Sequence, residues 1–105
     1  MVATTDADYQ GMRAAGQLVR RVFTKMKTAA RPGISTAQLD QIAAAELLAA
    51  GAESAPSLYY DFPGATCISV NEEAAHGIPG SQKLSAGDLL NIDVSAKLNG
   101  YVADM

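Results

Sequence analysis

This 105-residue sequence has few of the features that mark secreted, membrane or nucleic-acid-binding proteins. Cys67 is its only cysteine, so no disulfide can close within the chain, and there is no Asn-x-Ser/Thr acceptor. The longest apolar stretch, Ile42 to Ala52, is interrupted by Glu46. It falls well short of the roughly 20 residues that a membrane-spanning helix needs. The first nine residues are polar and acidic, without the basic start and apolar run of a signal peptide. Lys and Arg number 8 against 11 Asp and Glu, a formal charge of −3, and the basic residues form no stripe. Nucleic acid is therefore not an expected partner, and neither is a membrane. A cytoplasmic location is expected. The chain has no nucleophile elbow, no His-Glu-x-x-His and no glycine-rich phosphate loop. It shows no internal repeat.

Hydrophobic residues make up 49% of the chain, enough for the core of one small domain spanning residues 1–105. Met12, Ala15, Val19, Val22, Phe23 and Met26 recur at three- and four-residue steps, which predicts a helix over about 8–30. Asp6 and Asp8 near its start and Lys25, Lys27 and Arg31 near its end suit the helix dipole. Arg31-Pro32-Gly33 ends it. Ser35-Thr36-Ala37-Gln38 reads as a capping box that opens a second helix over about 36–50. Leu39, Ile42, Ala43, Leu47 and Ala50 form its apolar face, and Gly51 closes it. Both stripes are read as core packing rather than chemistry.

From Pro56 onward the pattern changes to short strands and turns. Strands are expected at Ser57–Asp61, at Thr66–Asn71 and at Leu89–Leu98, with a loop over most of residues 72–85. Along the third, Leu90, Ile92, Val94 and Ala96 face one way, and Asn91, Asp93 and Ser95 the other. Asn99-Gly100 is a strong signal for a two-residue hairpin, returning through Tyr101 to Met105. The fold class expected is α+β: two helices followed by an antiparallel sheet.

That hairpin makes a geometric statement. With a two-residue loop, Leu98 faces Tyr101 and Ser95 faces Asp104. Asp93 then lies on the same sheet face as Asp104, with Cβ atoms on the order of 7 Å apart. Two carboxylates so close repel each other unless a proton or a cation lies between them. A pair of divalent ions roughly 3.5–4 Å apart would fit, and oxygen donors suit manganese, iron or cobalt. A polar face washed by water explains the same pattern and, on pattern alone, is the commoner case. A calcium loop starting at Asp93 is excluded, because Lys97 and Leu98 stand where it needs an oxygen ligand and a glycine.

The only histidine, His76, lies in a turn-forming stretch, His76-Gly77-Ile78-Pro79. Read alone it is either a solvated loop residue or a proton shuttle. Cys67 sits in the apolar run Thr66-Cys67-Ile68-Ser69-Val70 and reads as a small buried hydrophobe.

Taken together these segments resemble a known family. Cys67-Ile-Ser-Val-Asn-Glu72 followed by His76-Gly-Ile-Pro79 resembles the signature of type I methionine aminopeptidases. Gly87-Asp-Leu-Leu-Asn-Ile-Asp93-Val94 is similar to their first metal-ligand strand, and Asn99-Gly-Tyr-Val-Ala-Asp104 to the hairpin carrying the second aspartate. Met12-Arg-Ala-Ala-Gly16 and Arg31-Pro-Gly-Ile-Ser-Thr-Ala-Gln-Leu-Asp40 are similar to the two N-terminal helices.

The resemblance implies the N-terminal half of a pita-bread metallopeptidase fold, with two pseudo-symmetric halves around a curved antiparallel sheet. It implies removal of the N-terminal initiator methionine from peptides and nascent chains, using two divalent metal ions (Co, Mn, Fe or Zn) that activate water. Asp93 would chelate one metal and Asp104 would bridge both. His76 would hydrogen-bond the substrate, while Tyr59, Phe62 and Cys67 would line the methionine pocket. Departures from the family are Val102-Ala103, where many members have His-Gly, and Phe62, where some have tyrosine. The family's remaining ligands, a histidine and two glutamates, come from its second half. The 105-residue chain is thus expected to be inactive alone. Alternatives are a non-catalytic half-domain that binds a partner, the missing half or itself, and a proline-specific peptidase of the same fold. The His76-Gly-Ile-Pro79 stretch speaks against the last.

Overall fold

A computed structural model describes residues 5–61, 63–71 and 78–105, except the side chain of Tyr60. Phe62 and His76, both site expectations, lie outside the described residues.

The first helix, α1, spans Asp6–Ala29. Thr5 caps it by accepting a hydrogen bond from the Asp8 N–H at 3.1 Å, which satisfies one of the unpaired donors of the first turn. Its inward face is Ala15, Leu18, Val19, Val22 and Met26. Met12, expected on this stripe, is exposed instead, and Leu18 joins the core. The helix ends ahead of Pro32, with Ala30 already extended at ψ 99°. Helix α2, Thr36–Ala49, has the full capping box. The Ser35 hydroxyl accepts from the Gln38 N–H at 3.1 Å, and the Gln38 side chain accepts from the Ser35 N–H at 2.9 Å. At its far end Gly51 takes a left-handed φ of +71°. Gly51 N–H then reaches the Leu48 carbonyl at 3.1 Å, and Ala52 N–H the Leu47 carbonyl at 2.9 Å. This pairing satisfies carbonyls left over by the last turn and favours glycine at that position.

A two-residue strand β1, Glu53–Ser54, leads into a short helix α3, Ala55–Tyr60. The strand expected at Ser57–Asp61 is therefore corrected to a helix. Its cause is local: the Ser54 side chain accepts from the Ser57 N–H, proline occupies the first turn, and Asp61 ends the turn at φ +53°. Helix-start chemistry outweighs the strand propensity of Tyr59 and Tyr60.

The remaining strands are β2 (Cys67–Val70), β3 (Leu90–Asp93), β4 (Ser95–Leu98) and β5 (Tyr101–Asp104). They form two antiparallel groups, β1-β4-β5 and β2-β3. The single strand expected at Leu89–Leu98 thus divides at Val94, and its two parts pair with different partners. The ladder nevertheless runs on past the break. Val94 and Met105 exchange both backbone hydrogen bonds, at 3.0 and 2.8 Å. Alternation also persists, with Ile92, Val94 and Ala96 buried while Asn91 and Asp93 are exposed.

The core lies between the helices and the inner face of the strands. Leu18, Val22 and Met26 of α1 and Leu39, Ala43 and Leu47 of α2 meet Ile68, Val70, Ile92, Val94 and Ala96. Residues 80–84 are tied to the start of α2. Thr36 N–H donates to Gln82, its hydroxyl both donates to Gly80 O and accepts from Gly80 N–H, and Leu84 exchanges bonds with Gly33 and Ile34. Among the described residues no helix is long and apolar enough to cross a membrane.

Asp40 joins α2 to the start of β2. One carboxylate oxygen accepts from Ala65 N–H at 3.0 Å; the other accepts from Thr66 N–H at 2.7 Å and the Thr66 hydroxyl at 2.6 Å. Thr66 is fully buried. Asp40→Ala would leave that hydroxyl and amide without partners, at a cost of about 3 kcal/mol. Chemical denaturation should show that loss, and a smaller one for Asp40→Asn. A change below about 0.5 kcal/mol would mean that the clasp is dispensable.

Candidate functional site

Side chains directly opposite one another on paired strands point to the same face. Cys67 stands opposite Asp93, and Ile68 opposite Ile92. Ser95 stands opposite Asp104, Lys97 opposite Val102, and Leu98 opposite Tyr101. Ile92, Val94 and Ala96 face the helices, so Cys67, Asp93, Ser95, Lys97, Val102 and Asp104 belong to the other face. The Lys97 ammonium lies 5.7 Å from the ring centroid of Tyr59, which brings α3 over that same face. Of the residues singled out in the sequence, Tyr59, Cys67, Asp93 and Asp104 are described, and the fold gathers all four on one side of the strands.

The turn that brings Asp104 back has left-handed φ at both central positions, +51° at Asn99 and +87° at Gly100. Such a turn matches the natural twist of the flanking strands, and asparagine and glycine tolerate it best. At the other end, the pairing of β2 with β3 is fixed by a clasp. Asn71, at φ +56°, donates its N–H to Leu89 O at 2.6 Å, and its side-chain oxygen accepts from Leu89 N–H at 2.8 Å. Its amide nitrogen donates to Asp88 at 3.1 Å, and the other oxygen of Asp88 accepts from Ser85 N–H at 2.8 Å. The Ser85 N–H and the Asn71 amide hold the Asp88 carboxyl below its ordinary pKa. This clasp sets Val70 opposite Leu90, and by counting along the strands it sets Cys67 opposite Asp93.

Sequence reasoning gave no role to Asp40, Asn71, Asp88 or Lys97. Asparagine and aspartate side chains that bond nearby backbone are a known turn signal, so Asn71 and Asp88 were within reach of it. Asp40 and Lys97 act at long range and left no local trace.

Asp93 and Asp104 are exposed, and neither forms an ion pair among the described residues. Two oxygen donors of like charge on one face are a donor set that fits hard or borderline divalent cations. Among the described residues no group of three or more His, Cys, Asp and Glu side chains comes together. A divalent ion held by Asp93 and Asp104 would therefore need further ligands from outside the described residues. Pro79, the last residue of the histidine motif, lies against the turn before β2: a Cβ on Gly64 would come within 3.0 Å of it. A cavity of about 420 Å³, lined by Phe23, Arg31, Leu84, Asp88, Leu90 and Ile92 among others, takes in neither Asp93 nor Asp104.

The chain belongs to metallopeptidase family M24, whose model matches residues 10–105. It is 50% identical over 105 residues to methionine aminopeptidase 2 of Bacillus subtilis, covering 99% of this chain and 42% of that protein. Its fold superposes on methionine aminopeptidase from Rickettsia prowazekii with a TM-score of 0.90 at 33% identity, covering 99% of this chain and 42% of the other. The enzyme from Thermotoga maritima gives a TM-score of 0.90 at 27% identity, covering 99% and 43%. These neighbours have the pita-bread fold, as the sequence resemblance implied. The chain spans about two-fifths of the length of the relatives it matches.

Burial pushes the Cys67 thiol above its ordinary pKa, and the negative charges of Asp93 and Asp40 push it further the same way. In metal-free protein the rate of Cys67 alkylation should therefore rise with pH at a midpoint above that of a free thiol. Asp93→Asn removes one of the charges and should move the midpoint down. An unmoved midpoint would mean that the carboxylate does not face the thiol.

Proposed function

We propose that this chain forms the N-terminal part of a methionine aminopeptidase, a cytoplasmic enzyme that removes the initiator methionine from peptides and nascent proteins. The observation that carries this reading is the sharing of one sheet face by Asp93 and Asp104 in a member of a metallopeptidase family. In this reading Asp93 and Asp104 would hold a pair of divalent ions, Asp93 as a ligand of one and Asp104 as a ligand shared by both. The remaining ligands come from the rest of the protein. When bound, the ions (manganese, iron, cobalt or zinc) supply a water of lowered pKa and polarise the scissile carbonyl.

The chain's own residues hold and orient. The carboxylates repel each other without cations, so the site is built to favour positive charge. Cys67, kept neutral by its raised pKa, offers a small soft surface suited to a thioether. Tyr59 adds an aromatic wall, steadied by the Lys97 ammonium over its ring. Phe62 completes that wall in this reading. His76 donates a hydrogen bond to the substrate near the scissile bond, where negative charge develops.

Two measurements test the reading. In the full-length protein, Asp93→Ala and Asp104→Ala should each reduce release of free methionine from Met-Ala peptides to background, with manganese or cobalt present. Normal turnover in either variant would remove the ligand assignment. The isolated 105-residue chain should release no methionine under the same conditions. Turnover from chain free of contaminating aminopeptidase would show that its own carboxylates suffice.

A further inference from the structure

On the inner face of β5, opposite Asp104, the first residue of the strand makes a contact that the active-site reading does not use. The Tyr101 hydroxyl donates a hydrogen bond to Asp8 at 2.7 Å, joining residues 93 positions apart. Its ring lies directly on the backbone of Gly11. A Cβ on Gly11 would stand 2.2, 2.4 and 2.6 Å from three ring carbons, closer than atoms can approach. Glycine inside a helix is unfavourable, because it gives up more backbone freedom than alanine. Gly11 has no left-handed φ to explain it; what explains it is the space the ring occupies. Asp8 is itself fixed, since its N–H is held by the Thr5 cap of α1. The carboxylate raises the phenol's pKa and so keeps the proton on the donor.

We propose that Asp8, Gly11 and Tyr101 form an anchor that positions β5 on α1 and thereby sets where Asp104 presents its carboxylate. The inference rests on the metal reading of Asp104. Tyr101 and Asp104 are the first and last residues of a four-residue strand, about 10 Å apart along it. Beyond the strand, Met105 is bonded to Val94. β5 is thus held at one end by the anchor and at the other by that pair, with Asp104 between them. Moving the ring off Gly11 pivots the strand about the Val94–Met105 pair.

The test measures Mn(II) binding to the full-length protein, from the electron paramagnetic resonance signal of free Mn(II). Asp104→Asn should weaken binding, which reports the carboxylate itself. Tyr101→Phe keeps the ring but loses the hydroxyl, and Gly11→Ala displaces the ring. Each should raise the Mn(II) Kd about tenfold, the usual scale for groups that orient a ligand. Each should also speed hydrogen exchange at the Ala103 and Met105 amides while leaving those of α2 unchanged. Val22→Ala, a core variant, separates positioning from stability. It should lower the melting temperature without changing the Kd.

Wild-type Kd values in both Tyr101→Phe and Gly11→Ala would overturn the proposal, as would equal weakening in Val22→Ala. Should Asp104→Asn bind Mn(II) as the wild type does, the metal reading itself has failed. Amide exchange then decides alone whether the anchor holds β5: faster exchange in Tyr101→Phe supports it, and unchanged exchange overturns it.

Discussion

The register of β4 against β5 governs everything proposed for this chain. Side chains on a strand alternate between faces, so a slip of one residue in β5 would carry Asp104 to the helix side and bring the half-buried Ala103 out. The Asn99-Gly100 turn prevents that slip by fixing Leu98 opposite Tyr101. The core prevents it as well. Val94 and Ala96 are fully buried, and a shifted register would replace them with Ser95 and Lys97 against Val22 and Leu39. Burying an unpaired ammonium there would be far more costly than any gain from alternative pairing.

The same constraint explains how one small structure carries an apolar face and an acidic one. Two carboxylates on a shared surface oppose folding unless a cation or solvent offsets them. The opposing term comes from the far side of the same strands, where Ile92, Val94 and Ala96 are packed with residues of α1 and α2. One face carries the packing and the other carries the acidic side chains. Cys67 belongs to both: it is buried like a core residue, yet its neighbour across the strands is Asp93.

Much of this was legible in the sequence wherever the signal is local. The Ser35–Gln38 capping box, the Gly51 helix end and the Asn99-Gly100 reversal each depend on residues within a few positions of one another, and each is present. Alternation from Leu90 to Ala96 gave the correct inner face. The strand expected at Ser57–Asp61 is a helix because Ser54 and Pro56 start one there, which outweighs the strand propensity of Tyr59 and Tyr60. The division at Val94 was not readable either. It depends on which distant segment, β2 or β5, pairs with each part, and alternation is blind to partners. Asp40 bonding Thr66, and Tyr101 seated on Gly11, were hidden for the same reason. Of the candidate site, Tyr59, Cys67, Asp93 and Asp104 were named from motif resemblance, while the alternation pattern alone supplied only the shared face of the two aspartates.

The division at Val94 bears directly on how the carboxylates meet. Asp93 ends the strand paired with β2, whereas Asp104 ends the strand paired with β4. Each aspartate is therefore oriented by a different set of contacts. Asp93 answers to the Asn71–Asp88 clasp through β2 and β3; Asp104 answers to the hairpin and the helix beneath it. The link between the two sets is Val94, buried and bonded twice to Met105. With its side chain locked in the core, Val94 transmits position and leaves little freedom to absorb error. A shift in either set must then change the spacing of the two carboxylates, which is the quantity a bridging cation would sense most sharply.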